Sequence, residues 1–306
     1  MKKYDPILYV VLFIFSGLLP VGQNTTCADM GGMHDHQHHN HEGMHMDMET
    51  MASGSIIVNL ETRPEKLTAG IPAEIMFSIR DNKGKPVQDL TSMHERLLHV
   101  IIVSGDFTTF AHIHPEDFGP ITPEMRKYAD YSVRYTFPTA GRYLVAVDSA
   151  VKKGAHFSEH FTIDVSGKPK MGSLKEDFST EKRFGDYAVT FSASPAHIVA
   201  GKETVLKYVI KKNGEPVKDL EPYLAAPMHL AIIKADLKNF IHAHGELPGE
   251  PSHQEPMGHI HGMVKEKFGP EIEAPVVFPV KGVYQVFSQI KHQGKVIPLG
   301  FMVKVY

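Results

Sequence analysis

The chain has one cysteine, Cys27, and no tryptophan among its 306 residues. A single thiol excludes an internal disulfide. The absence of cysteine after residue 27 also excludes cysteine-ligated zinc sites, cysteine nucleophiles and the blue-copper arrangement, which sets a thiolate beside two imidazoles. Stability must therefore come from sizeable hydrophobic cores. A net positive charge is also lacking. The formal net charge is −3 with 20 histidines counted as neutral, so no basic patch points to nucleic acid. Long apolar runs are few. One, Ile7 to Leu19, covers 13 residues behind Met1-Lys2-Lys3. It is short for a spanning helix and fits a secretory signal peptide over residues 1–28, with cleavage after Ala28 and Thr26 at the −3 position. An extracytoplasmic, periplasmic setting is expected. Asn24-Thr25-Thr26 before Cys27 lacks the usual lipoprotein pattern. Membrane contact is expected only through an uncleaved signal or a lipid anchor.

Residues 29–53 have little with which to build a core. Met30 to Met51 holds six His, six Met and four acids. His34, His36, His38, His39, His41 and His45 offer imidazoles, which suit copper, zinc and nickel; Met44, Met46 and Met48 offer thioethers, which favour Cu(I). Inert linkers are richer in Gly, Ser, Pro or Glu, so the tract reads as a disordered, multi-site metal collector. The alternative is a solvated linker.

The rest is a duplication. Leu67 to Leu90 matches Ile198 to Leu220, and His99 to His114 matches His229 to His244. Phe118-Gly119-Pro120 matches Phe268-Gly269-Pro270, and Phe137-Pro138-x-x-Gly141-x-Tyr143 matches Phe278-Pro279-x-x-Gly282-x-Tyr284. Repeats of this length are domains rather than solenoid units. Residues 54–166 form the expected first domain, 167–175 a Gly/Pro linker, and 176–306 the second domain. Alternating apolar runs such as Tyr131 to Phe137, bounded by turn residues, predict strands throughout. The expected fold class is all-β: two tandem immunoglobulin-like sandwiches. Tyr143 and Tyr284 read as structural corner tyrosines.

His99, His112 and His114 recur in register as His229, His242 and His244. Residues two apart on a strand share a face. A hairpin pairing residues 103 and 110 sets His99 opposite His114 and brings three imidazoles within about 5 to 8 Å. Each copy then offers its own three-imidazole site, with Met93, His94 and Met228 nearby. A one-residue slip would reverse the faces, and packed structural histidines are the alternative. The second copy carries an insertion, residues 246–266, in which His259 and His261 make an added metal loop. His156, His160, His197 and His292 lack counterparts and read as surface or structural residues.

AGKETVLKYVIKKNGEPVKDLEPYLAAPMHLAIIKADLKNFIHAHGE and FGPEIEAPVVFPVKGVYQVFSQIKHQGKV resemble exported YtkA-like, FixH-related domains. The resemblance covers both copies from about Ser55. Its clearest pieces are Pro227-Met228-His229, Phe240-x-His242-x-His244 and the Phe-Pro-x-x-Gly-x-Tyr turn. It implies an immunoglobulin-like sandwich, an extracytoplasmic place and copper or heavy-metal handling. The first copy departs at His94-Glu95-Arg96-Leu97-Leu98.

The sequence thus predicts an exported binder of transition metal, copper as Cu(I) or Cu(II) foremost, with zinc or nickel also compatible. Its role would be sequestration, or delivery to efflux or assembly proteins. The rival reading is a scaffold or adhesion module with structural histidines. A metallo-hydrolase would need an open metal position and a general base; beyond Glu116 and Glu246 nothing completes such a site, so no enzyme is expected.

Overall fold

The computed structural model describes residues 11–12, 56–152, 156–168, 174–249 and 265–306. Apart from Val11–Leu12, which pair with Phe110 and Thr109, the segment expected as a signal peptide lies outside this set, as do Cys27, the His/Met tract and most of the insertion. With them go His34, His36, His38, His39, His41, His45, Met44, Met46, Met48, His259 and His261.

The first half contains β1 (Val11–Leu12), β2 (Ile57–Arg63), β3 (Pro72–Arg80), β4 (Leu90–Thr91), β5 (His99–Ser104), β6 (Thr109–Ile113), α1 (Pro123–Tyr128), β7 (Asp130–Thr136), β8 (Gly141–Val151) and β9 (His156–Val165). The second contains β10 (Glu181–Phe184), β11 (Tyr187–Ser194), β12 (Glu203–Lys212), β13 (Glu215–Pro216), β14 (Met228–Lys234), β15 (Phe240–Gly245), β16 (Glu271–Val277), β17 (Gly282–His292) and β18 (Lys295–Val305). In the first half β2-β3-β7 faces a sheet ordered β1-β6-β5-β8, with β4 and β9 also pairing β8. In the second, β10-β11-β12 with β13 and β16 faces β15-β14-β17-β18. These are two immunoglobulin-like β-sandwiches, as the duplicated strand pattern predicts.

Alternation builds each core. Ala73, Ile75, Phe77 and Ile79 of β3 point inward against Val100, Ile102, Val145 and Val147. Leu206, Tyr208 and Ile210 of β12 do the same against Leu230, Ile232, Val286 and Phe301. The corner tyrosines close the sandwiches: the Tyr143 hydroxyl donates to the Thr139 carbonyl at 2.9 Å, and Tyr284 donates to that of Val280 at 2.7 Å. Gln293 and Gly294, at φ 52° and 71°, join β17 to β18. Two positive φ values suit the tight turn of a right-twisted hairpin.

Three features depart from the all-strand pattern, the first a 3-10 turn at Pro115–Asp117. Helix α1 follows β6, its Thr122 hydroxyl capping the Met125 amide at 3.2 Å, as short polar residues do at helix starts. Strands β8 and β17 also run past the ends of their apolar stretches, to Val151 and His292. The extra turn of strand puts Asp148 and Gln289 inside the sheets.

A third apolar cluster joins the domains. Ile101, Val103, Phe107, Phe110, Leu144 and Ala146 of the first pack on Ala231, Ile233, Leu237, Phe287 and Met302 of the second. Phe110 stacks on Phe287 with centroids 4.6 Å apart. Four sheets are therefore layered, and the central strands β5, β8, β14 and β17 of the middle two are buried on both faces. Burying each large apolar side chain contributes roughly 1.5 to 3 kcal/mol, so the domains are docked firmly.

Candidate metal centre

The strand residues facing this interface start apolar and end as histidine. On β5 the interface face carries Val103, Ile101 and then His99. On β14 it carries Ile233, Ala231 and then His229. On β6 and β15 it runs Phe110, His112 and Phe240, His242, His244. The pairing is the expected one: Val103 opposes Phe110 and His229 opposes His244. His114 continues the His112 face just past β6. Within the first domain, centroids of His99, His112 and His114 lie 4.7 to 5.2 Å apart. His229, His242 and His244 lie 4.6 to 5.7 Å apart.

The expectation of one separate site per domain is corrected. The two sets meet across the interface, with His99 and His229 stacked at 6.0 Å. Two trios of ligand atoms, each within 4.8 Å of one another, draw on both domains: His99, His112 and His242, and His94, His229 and His244. The His242-x-His244 pair is thus divided between trios. The reason is the third apolar cluster, which turns the outward faces of the two histidine-bearing sheets toward each other. His94 joins as expected from its place in the sequence. Met228 does not, because it points to the opposite face and into the second core. Met93 contributes its carbonyl.

Hydrogen bonds fix which ring nitrogens carry protons, since a neutral imidazole has one donor and one acceptor. His99 Nε2–H donates to the Met93 carbonyl at 2.9 Å, and His112 Nδ1–H to Gln289 Oε1 at 2.8 Å. His114 Nδ1–H donates to Asp117 Oδ2 at 3.1 Å, and His242 Nδ1–H to Asp148 Oδ2 at 2.8 Å. The other nitrogens are left bare, yet they converge. His99 Nδ1 is 3.0 Å from His112 Nε2, and His114 Nε2 is 3.2 Å from the same atom. His242 Nε2 is buried and has no partner. Facing lone pairs repel unless a cation or proton lies between them. Four nitrogens about 2.0–2.1 Å from a tetrahedral ion are spaced about 3.3 Å from one another, close to the separations seen. Ligating histidines characteristically give their second N–H to a carboxylate or carbonyl.

The second trio has the same logic. His229, 2 % exposed, donates Nε2–H to the Leu224 carbonyl at 3.2 Å. Its Nδ1, and Nε2 of His244, are buried without a hydrogen-bond partner.

Burial holds the rings of His99, His112, His229 and His244 well below the ordinary imidazole pKa, and neighbouring imidazoles deepen the effect. They stay neutral at pH 7, as metal ligands must. Burial alone would raise the Asp148 carboxyl, but its contacts with His242 and His156 outweigh it and hold it below the usual range. His156 Nε2 lies 2.9 Å from Asp148 Oδ1. Burial opposes charge on His156 as well, yet its Asp148 contact raises its pKa.

Asp148 and Gln289 are not singled out by the sequence, and His156 reads there as a surface or structural residue rather than as part of the centre. A signal existed: Asp148 and Gln289 both stand five residues after the corner tyrosine, at matching places in the repeats. Among the unmatched histidines, His292 is structural, bonded to Tyr187 and Asp219 at 2.8 and 3.0 Å, and His197 stacks on Tyr306. His160 reaches the Lys238 carbonyl of the other domain at 3.1 Å. Glu116, considered as a general base, instead accepts the Leu97 amide at 2.7 Å.

Fold and cluster define a two-domain immunoglobulin-like β-sandwich protein whose halves meet over a histidine centre. The chain belongs to the family described as a domain of unknown function, DUF8832, which matches residues 49–167 and 182–306, once per sandwich. No curated protein matches it in sequence. Among solved structures, the Escherichia coli adhesin FdeC is similar over 81 % of this chain and 64 % of its own, at 11 % identity and TM-score 0.23. Domains 4–9 of the surface layer protein SbsC align over 82 % of this chain and 31 % of theirs, at 12 % identity and TM-score 0.22. The D00-D0 domain of intimin aligns over 82 % and 100 %, at 11 % identity and TM-score 0.23. The chain therefore spans less than two thirds of the first two. Among the described residues no helix is long and apolar enough to cross a membrane.

Proposed function

We propose that the chain is an extracytoplasmic binding protein for a transition-metal ion, copper foremost, held between its two domains. The observation that carries this reading is the 3.0 Å approach of His99 Nδ1 to His112 Nε2, when both rings spend their N–H on oxygen acceptors. The trios contain nitrogen and no sulfur, and imidazole sets suit Cu(II), Zn(II) or Ni(II). The Met-rich tract would suit Cu(I) better. The resemblance to YtkA-like domains adds the expectation of metal handling, by sequestration or by delivery to efflux or assembly proteins. The test is metal analysis of protein purified from the periplasm, followed by titration with Cu(II) and Zn(II). Metal-free protein with no site tighter than the tract alone would overturn the reading.

A second reading has its own support. The apolar interface cluster and the His160 bridge to Lys238 join the domains with no ion. Such a unit would serve as a rigid scaffold or adhesion module with structural histidines. Unchanged thermal stability on adding either metal would favour it.

A further inference from the structure

We infer that the histidine centre takes two ions rather than one, the first at His99, His112 and His242 and the second at His94, His229 and His244. The inference rests on the metal-binding reading and deepens it.

One ion does not satisfy the cluster. Seated in the first trio, with His114 Nε2 at its edge, it relieves the crowding around His112 Nε2 and meets the bare His242 Nε2. It leaves His229 Nδ1 and His244 Nε2 where they are, buried and without a partner. Leaving a buried polar atom unsatisfied costs about 1 to 3 kcal/mol. A proton shared between two rings can quiet the His99–His112 contact, but among the described residues no donor reaches His229 Nδ1. His229 cannot turn its other nitrogen inward without losing the Leu224 carbonyl. The trio is also compact: His94 and His244 have centroids 3.8 Å apart, and His229 lies 5.3 and 4.6 Å from them.

The trios are neighbours within one cluster. His242 of the first lies 4.8 Å from His244 and 5.7 Å from His229 of the second. Two divalent ions so placed repel each other, and the buried Asp148 carboxylate beside His242 offsets part of that charge. The first trio fills first, because two of its bare nitrogens, His99 Nδ1 and His112 Nε2, already stand 3.0 Å apart and oxygens orient all three rings. The second fills at higher concentration.

Crystals of the full chain soaked in CuSO4 or ZnCl2, with anomalous diffraction at the metal edge, test this. Two peaks, one in each trio, are expected, the first trio more fully occupied at limiting metal. One peak confined to His99, His112 and His242 overturns the two-ion inference and leaves the metal-binding reading standing. No peak in either trio overturns both. In solution, His229→Ala and His112→Ala should each lower the full chain's stoichiometry by one ion. If both variants keep their far-ultraviolet circular dichroism and His229→Ala leaves the stoichiometry unchanged, the second ion is excluded.

Discussion

Asp148 accepts the Nδ1–H of His242 at 2.8 Å although the two residues sit in different domains. At the position matching Asp148 in the second repeat stands Gln289, which accepts the Nδ1–H of His112 from the first domain. The contacts are exchanged copies of one another, one ending on a carboxylate and one on an amide.

Asp148→Asn should therefore weaken metal binding by about 10-fold or more, the usual effect of removing a partner that orients a metal-ligating histidine. Its shape is retained, so the fold should survive. Competition titration on protein lacking residues 30–51 measures the change. Equal affinity in parent and variant would show that the carboxylate does not act on the site.

The metal-free chain should lose stability as pH falls below about 6.5. His99, His112, His229 and His244 have depressed pKa values when folded. Below pH 6.5 the unfolded chain takes up protons that the folded one refuses, so unfolding becomes easier. Each ring contributes up to about 1.4 kcal/mol per pH unit. His156, with its raised pKa, works the other way: its stabilisation is present below 6.5 and fades as pH rises through its folded value. One ring against four leaves the net slope positive with pH. Urea midpoints between pH 7 and 5 read it, and a flat profile would contradict the buried neutral cluster.

Phe287→Ala should loosen the centre without touching a ligand. Phe287 is 1 % exposed and stacks on Phe110 across the interface. Losing such a ring costs about 3 to 5 kcal/mol. Metal affinity should fall with it, because the trios exist only while the domains are docked. Calorimetric melting and Cu(II) titration together check this; a destabilised variant that still binds as tightly as the parent would separate the centre from the interface.

Removing residues 30–51 should lower the number of bound ions while leaving the unfolding transition cooperative, since the tract has no core residues. Unchanged stoichiometry by titration calorimetry would remove the collector role.

Much of this was legible in the sequence. Two-residue periodicity set the strands, and the Val103–Phe110 pairing placed His99 opposite His114 and His229 opposite His244. Docking was harder to read. The runs from His99 to Val103 and from His229 to Ile233 are apolar on both faces, and period alone does not say that the second face meets another domain. With the partner surface unknown, the histidines read as two separate sites. Asp148 is hidden in the sequence because the apolar run of β8 ends at Val147 while the strand itself continues.

The exchange of ligands across the interface also bears on ancestry. A single copy of the repeat holds two rings of one trio and at most one of the other. It could complete the centre only by meeting a second copy through a twofold, self-complementary interface. Duplication within one gene fixes that encounter inside a single polypeptide, at any concentration, and frees the halves to diverge. Carboxylate at 148 against amide at 289, and His94 against Leu224, are the places where the two halves depart from such twofold symmetry.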